Sequence, residues 1–377
     1  MLLAEASIQQ ESQSLSRGWS GLRKFRVVSK TTECQDICTF ELSPHDKQAI
    51  PNYKPGQHIT VSLQPHNQKR IVRCYSLSDC FKSKNNYTIT VKHLSENGNK
   101  PAGKSSSLLH RDIQEGDLID IKAPKGRFYL NLKSQQPVVL MANGVGITPL
   151  LAMLNYLSEH QAERKVYLFY GARNSRYVIQ ASHLRETVEK HPSFSLVLAY
   201  SQPLKTDVLG QDYDVEGYIN SQLVIKHLSN LPSYMRLSHT EKPEFYICGT
   251  AAMMQENIAG LKQWDVPDKV INHEAFGAAS IQKSQSQRKT NSTFAITFKQ
   301  SDQTHEWNGE HNSLLEMSQN KSIPIDSGCC CGECGTCEVA ILSGSVTYPN
   351  GKPETEVAEG HCLMCIAAPT SPLTLDA

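Results

Sequence analysis

The stretch Asp326-Ser327-Gly328-Cys329-Cys330-Cys331-Gly332-Glu333-Cys334-Gly335-Thr336-Cys337 places Cys329, Cys334 and Cys337 in the spacing C-x4-C-x2-C, with Cys365 well downstream. This is the ligand arrangement of a plant-type [2Fe–2S] centre, in which four thiolates hold two ferric ions and the pair accepts one electron. The loop must fold tightly over the cluster so that amide N–H groups point at the sulfurs. Gly328, Gly332 and Gly335 suit that, because glycine reaches backbone angles other residues avoid. Two other readings compete. A structural zinc site also uses four thiolates, but its ligands usually come as two close pairs, and here three share one loop. A disulfide framework suits small secreted domains rather than a chain of 377 residues. Cys330 and Cys331 inside the loop, and Cys362 three residues before Cys365, leave a choice of ligand open at both ends.

The length predicts two or three domains. A formal net charge of +1 gives no reason to expect nucleic acid or an anionic membrane as partner. Residues 1–20 are polar, rich in Gln, Ser and Glu, and read as a disordered leader rather than a secretory signal. Residues 137–157 carry no charge and are long enough to cross a bilayer. Asn143, Gly144, Gly146, Pro149 and Asn155 interrupt them, so a strand, a glycine turn and a helix are expected instead of a span. Seven of the 12 cysteines fall between Cys329 and Cys365, and the other five are scattered. Scattered thiols beside one cluster suit a reducing cytoplasm.

From about residue 21 to 135, short β-like runs dominate: Phe25–Val28, Cys38–Leu42, His58–Leu63, Ile71–Ser78, Tyr87–Leu94 and Asp117–Lys122. Turn residues separate them, and six strands without a long helix predict a small closed antiparallel barrel. Within it, Arg73, Tyr75 and Ser76 read as chemistry. An aromatic ring stacks on a planar cofactor, a hydroxyl binds its edge, and an Arg neutralises a phosphate. Gly103 to Ser106 opens a short helix whose first N–H groups suit a pyrophosphate. The plain alternatives are an ordinary strand and an ordinary cap.

Residues 136–276 alternate strand and helix, which implies a parallel sheet with helices on both faces. Gly144 and Gly146 follow its first strand, Val138–Ala142, and open a helix. Pro149 stands where a G-x-G-x-x-G fingerprint would end, so the pair alone is a weak signal. Arg173, Ser175 and Arg176 follow the second strand, where an adenosine ribose or its 2′-phosphate would lie. Cys248 ends a later strand, and a segment running to Phe276 closes the set. Residues 277–291 are rich in Ser, Gln and Lys and read as a flexible linker. Residues 292–377 return to a strand, Thr293–Lys299, and a capping-box helix start at Ser313-Leu314-Leu315-Glu316. After the cysteine loop come strands at Glu338–Leu342 and Leu373–Leu375.

Taken together, these residues resemble the ferredoxin–NADP reductase superfamily, in the form with a C-terminal plant-type ferredoxin domain. Reductase components of Rieske-type oxygenases and the phthalate dioxygenase reductase group share that layout, and the barrel and nucleotide domains are also of flavohaemoglobin-reductase type. The family's R-x-Y-S flavin segment matches Arg73, Tyr75 and Ser76, and its glycine-to-serine turn matches Gly103 and Ser106. Its G-G-x-G-x-T-P nicotinamide loop appears as Asn143 to Pro149, with Gly144, Gly146 and Thr148. Its C-G-P segment appears as Cys248-Gly249-Thr250, and its E-x-F-G segment as Glu274 to Gly277 with Phe276. The ferredoxin loop matches Cys329, Cys334 and Cys337, and its downstream partner is Cys365. The departures are Asn143 for a glycine, Thr250 for a proline and Cys330 for an arginine.

The resemblance implies an antiparallel flavin barrel, a parallel-sheet α/β nucleotide domain and an α+β β-grasp ferredoxin domain. It implies an electron relay from NADH or NADPH through a flavin (FAD, with FMN open) to the [2Fe–2S] cluster and on to an acceptor protein. In that relay Ser76, Cys248 and Glu274 are the expected catalytic residues. Arg73, Tyr75, Gly103, Ser106, Arg173, Arg176, Gly249 and Phe276 are expected to hold the cofactors. The expected acceptor is a Rieske-type oxygenase. A reductase for another metalloprotein, such as a hybrid-cluster protein, and an electron-carrying subunit without its own NAD(P)H turnover stay open.

Overall fold

The computed structural model describes residues 19, 21–65, 70–80, 86–96, 102–229, 243–275, 293–327, 330, 332, 335–349, 352–353 and 356–377. The expected linker 277–291 and Phe276, Cys329 and Cys334 lie outside that set. The chain divides into two units, residues 1–274 and 275–377.

The first unit begins with a barrel. Its strands are β1 (Arg23–Cys34), β2 (Ile37–Pro44), β3 (His58–Leu63), β4 (Ile71–Ser76), β5 (Tyr87–Lys92) and β6 (Leu118–Ile121), with α1 (Lys104–Arg111) between the last two. In β2 buried and part-buried residues alternate, as one face on a core requires. The sheet order is β4-β3-β6-β1-β2-β5. An antiparallel bridge from Leu77 to Ile89 joins the two ends, so the sheet closes and no edge is left to pair with another chain. Phe25, Phe40, Ile59, Val61 and Ile89 fill the interior. Trp19, expected in the leader, instead stacks on Phe25 at a centroid distance of 5.6 Å.

The second half of this unit comprises β7 (Val138–Asn143), α2 (Ile147–His160), β8 (Val166–Ala172), α3 (Ala181–Lys190), β9 (Phe194–Tyr200), β10 (Val215–Glu216), α4 (Ser221–Ser229), β11 (Glu244–Gly249), α5 (Ala251–Gln263) and β12 (Ile271–Ala275). Every residue of β8 and β11 is buried. A parallel sheet covered on both faces asks for such uninterrupted apolar runs. The uncharged run 137–157 forms β7 and α2, and no helix among the described residues is long and apolar enough to cross a membrane. Pro149 sits in the first turn of α2, where a missing N–H breaks no helical bond. The order β10-β9-β8-β7-β11-β12 reverses direction of winding between β7 and β11. Ligands of open α/β sheets bind at the carboxyl ends of the strands at that point. Short β10 and the helix α4 were not legible, since a two-residue strand has no period to read.

Barrel and sheet are tied by polar contacts. Asn155 of α2 donates to Asp79 Oδ1 at 2.7 Å, and His183 of α3 meets Asn155 Oδ1 at 2.7 Å. At the amino ends of β8 and β11 the buried Arg164 guanidinium donates to Glu244 Oε2 at 3.0 Å.

The second unit holds β13 (Phe294–Phe298), β14 (Gln303–Trp307), α6 (Leu314–Asn320), β15 (Glu338–Ser343), β16 (Val346–Thr347), β17 (His361–Leu363), β18 (Ala368–Pro369) and β19 (Leu373–Leu375). Its main sheet has the order β14-β13-β19-β15-β17, with β13 and β19 parallel and the remaining neighbours antiparallel. Leu314, Leu315 and Met317 bury one face of α6 in the same apolar cluster as Ile296 and Phe298. Ser313 caps that helix by accepting from Glu316 N–H at 3.2 Å, as the S-x-x-E pattern predicts. The Glu316 carboxylate accepts from Asn312 N–H at 2.6 Å, one residue earlier than a capping box places it.

Candidate functional site

Four strands of the first unit bring polar side chains to one place. Ser76, the last residue of β4, donates its hydroxyl to Glu274 Oε2 at 3.4 Å, across 198 residues of sequence. The other carboxylate oxygen of Glu274, on β12, lies 3.9 Å from Nδ1 of His58, the first residue of β3. Cys248 of β11 is fully buried. Burial, and after it the charge of Glu274, push its thiol well above the usual thiol range, so it stays neutral. Ser76, Cys248 and Glu274, singled out in the sequence, are thus neighbours. His58 joins them although nothing marked it, because a single histidine at a strand start has no local signature.

The turn after β7 builds the adjoining floor. Gly144 adopts φ +53° and opens a 3-10 turn that runs into α2. A Cβ on Gly146 would collide with the Cys248 carbonyl oxygen, so the absent side chain lets the turn lie against β11. Thr148 is buried and donates to the Val145 carbonyl at 3.0 Å, which holds the first turn of α2 in place. The Thr250 hydroxyl caps α5 by accepting from Met253 N–H at 3.4 Å. That is what this chain gains where the family pattern has proline.

On the barrel side, Tyr75 donates to Ser105 Oγ at 2.9 Å and so stands beside the start of α1. Burial pushes the phenol up to about 12, so it is a neutral donor. Ser106 accepts from Leu94 N–H at 3.2 Å and donates to Gly103 O at 3.1 Å. Its hydroxyl therefore shapes the turn, and the first N–H groups of the helix are what remain for an anion. Arg73 lies on β4 with Tyr75. An aromatic ring, a guanidinium and a helix N-terminus together fit a flavin with its phosphates.

Beyond β8, Ser175 and Arg176 both address Asp207, while Arg173 turns to Tyr177. Ser175 donates to Asp207 Oδ1 at 2.6 Å. The Arg173 guanidinium lies 4.9 Å from the Tyr177 ring centroid. Arg176 N–H donates to Asn174 Oδ1 at 3.2 Å. Asp207, like His58, carried no sequence signal.

In the second unit Cys337 and Cys365 are buried, at 2% and 1% exposure. Cys337 accepts at its carbonyl from Met364 N–H at 3.0 Å, which holds the end of the cysteine loop beside the turn containing Cys365. Cys362, the third buried thiol, sits within β17 opposite Val339. Gly332 and Gly335 adopt φ +82° and +74°, angles that favour glycine, as the loop over a cluster requires. Cys330 shares that left-handed region at φ +58°. Two buried thiols on turns and a glycine-bent loop fit a thiolate-held cluster.

Comparisons with known proteins match these parts in order. An oxidoreductase FAD-binding domain model matches residues 24–129, an oxidoreductase NAD-binding domain model 140–257 and a 2Fe-2S iron-sulfur cluster binding domain model 296–370. The flavohemoprotein of Halalkalibacterium halodurans is 35% identical over 277 residues, 73% of this chain and 64% of that one. The chain spans about two thirds of the length of the curated relatives it matches. The FAD/NAD-binding domain of nitric oxide dioxygenase from Vibrio cholerae O1 biovar El Tor superposes with TM-score 0.58 at 28% identity, covering 68% of this chain and 98% of that one. Phthalate dioxygenase reductase, described as a modular structure for electron transfer from pyridine nucleotides to [2Fe–2S], covers 95% of this chain and 98% of its own, with TM-score 0.56 and 23% identity.

Proposed function

This chain belongs to the ferredoxin–NADP reductase superfamily, in the form that carries a C-terminal plant-type [2Fe–2S] ferredoxin domain, and from that premise we propose that it is an NADH-dependent reductase delivering single electrons to a protein acceptor. A bound FAD would supply hydride acceptance from the nicotinamide and release of electrons singly, and a bound [2Fe–2S] cluster would supply one-electron carriage. The observation that carries the proposal is the meeting of Ser76 with Glu274 beside buried Cys248, at the carboxyl edge of the nucleotide sheet.

The chain's own residues do the positioning. Hydride transfer needs reacting atoms about 3–3.5 Å apart, so the walls of this pocket must be rigid. Glu274 accepts a hydrogen bond from the Ser76 hydroxyl, which fixes its O–H toward the carboxylate and leaves the hydroxyl oxygen as an acceptor for the flavin edge. Neutral Cys248, buried behind the site, adds no competing charge there. Gly146 and Thr148 fix the turn on which the nucleotide rests, with Gly249 beside them. Arg73, Tyr75 and the first turn of α1 after Gly103 would hold the flavin and its phosphates. Cys329, Cys334, Cys337 and Cys365 ligate the cluster.

Asp207 favours NADH over NADPH. Its carboxylate occupies the Ser175 hydroxyl, in the loop where a 2′-phosphate would lie, and like charges there cost affinity. Arg173 and Arg176 then serve the adenosine ribose. The proposed acceptor is a Rieske-type oxygenase, in keeping with phthalate dioxygenase reductase, one of several solved structures whose likeness runs through all three domains; self-sufficient cytochrome P450 monooxygenases are others.

An anaerobic visible spectrum, taken before and after one equivalent of NADH and then of NADPH, tests the relay. Bleaching of flavin and cluster bands by NADH ahead of NADPH is the expected outcome. Both chromophores present yet unbleached by either nucleotide would make the chain a carrier reduced by another protein. NADH oxidation that a purified Rieske-type oxygenase does not accelerate would remove that acceptor.

A further inference from the structure

We propose that Asn143 is a ligand for the dinucleotide, its carboxamide pairing with a ribose hydroxyl; the inference rests on the nucleotide reading of the sheet given above. Asn143 is the last residue of β7. In the register of the sheet it faces Gly171 of β8 on one side. On the other, Ala142 pairs with Cys248 of β11, and the following residue there is Gly249. Both lateral neighbours thus lack a side chain. A Cβ on Gly171 would collide with Asn143 Oδ1, and one on Gly249 would stand 3.7 Å from Asn143 Cβ. The carboxamide therefore lies across Gly171, in a trough at the ends of three adjacent strands that Ile219 and Met253 flank.

Its oxygen is buried and has no hydrogen-bond partner among the described residues. Buried side-chain oxygens in native proteins nearly always have one, and an exception is explained by an ordered water or a ligand. Location favours the ligand. The trough lies at the carboxyl end of the sheet, where the strand order turns back between β7 and β11 and where open α/β sheets bind their ligands. β7 stands between β8, whose following loop carries Arg173 and Arg176, and β11, which carries Cys248.

The chemistry selects the part of the ligand. Phosphate oxygens only accept, so they would leave Oδ1 as it is. A carboxamide has the same shape with its oxygen and nitrogen exchanged, so its partner must suit either end. A ribose hydroxyl both donates and accepts, and it satisfies both orientations. The residue that departs from the family's glycine is in this reading a recognition group rather than a defect of the loop.

Calorimetric titration of the oxidised, FAD-loaded full-length protein with NAD+ tests this, with wild type and Asn143→Ala compared and each melted without nucleotide. The expected result is a Kd about tenfold weaker in the variant, equal to 1.4 kcal/mol, with a melting temperature equal to or above that of wild type. An affinity within about twofold of wild type overturns the proposal. So does a weakened affinity accompanied by a lowered melting temperature, which is the mark of a packing role. An NAD+ analogue lacking its ribose hydroxyls should bind both proteins equally, and a persisting difference overturns the hydroxyl assignment. Wild-type protein that does not bind NAD+ at all would instead remove the nucleotide reading beneath this one.

Discussion

The two units of this protein assemble their redox sites in opposite ways. In the second, three candidate ligands fall within Cys329 to Cys337, a stretch in which Gly332 and Gly335 take left-handed conformations. In the first, Ser76 and Glu274 are 198 residues apart and meet only because a barrel strand and the last strand of a parallel sheet end at the same point. The contrast teaches where each site is vulnerable. A loop that ligates a cluster depends on its own few residues. A pocket between a barrel and a sheet depends on the backbone fit of elements that carry no chemistry.

The sharpest test of that contrast is to empty one site and read the other. Cys337→Ser should cut NADH-driven cytochrome c reduction by about 100-fold or more while leaving the rate of flavin bleaching by NADH within about twofold. Stopped-flow absorbance reads both. Equal loss of the two rates would break the contrast, since the sites would then not be independently built.

A smaller effect compares backbone fit. Gly146→Ala drives a methyl group into the Cys248 carbonyl, a rigid neighbour, and should cost about 1–3 kcal/mol, or several degrees in the melting of the first unit. Gly332→Ala meets Ile366 Cδ1 at 2.5 Å, the movable end of a side chain, and adds the strain of its φ of +82°. It should cost about 1–2 kcal/mol and act on the second unit alone. Melting curves followed separately by flavin and by cluster absorbance distinguish them. A cluster transition shifted by Gly146→Ala would blur the division between units.

The smallest effect is the response to alkali. Burial, then the charge of Asp36, raise the Cys34 thiol from 9.0 to about 11, and burial, then the charge of Glu274, push the Cys248 thiol up as well. A thiol whose pKa is raised on folding keeps its proton longer folded than unfolded. Its contribution is therefore complete below pH 9 and declines as pH rises from 9 toward 11. Denaturant unfolding of the first unit should show falling stability over that window. Constant stability across it would mean that these thiols titrate alike in both states.

Much of this architecture was legible along the chain because its signals are local. Alternation in residues 87–92 marks a half-buried strand, unbroken apolar runs at 138–142 and 166–172 mark a parallel sheet, and S-x-x-E marks the start of α6. The cysteine spacing named the cluster for the same reason. Three two-residue strands, β10, β16 and β18, escaped notice because two residues carry no period.

The composition of the pocket in the first unit was legible only in part. Ser76, Cys248 and Glu274 stood out through their motifs, yet their meeting, and the presence of His58 beside Glu274, follow from strand register. The same holds for Asp207 against Ser175, and for Asn143 between Gly171 and Gly249. What the sequence by itself determined is the set of elements and the chemical types available, since hydrophobic period, turn residues and ligand spacing act over a few residues. Which polar groups face one another, and which is left buried without a partner, was decided by the tertiary structure. Those relations depend on how distant strands align, and alignment is the outcome of packing the whole sheet.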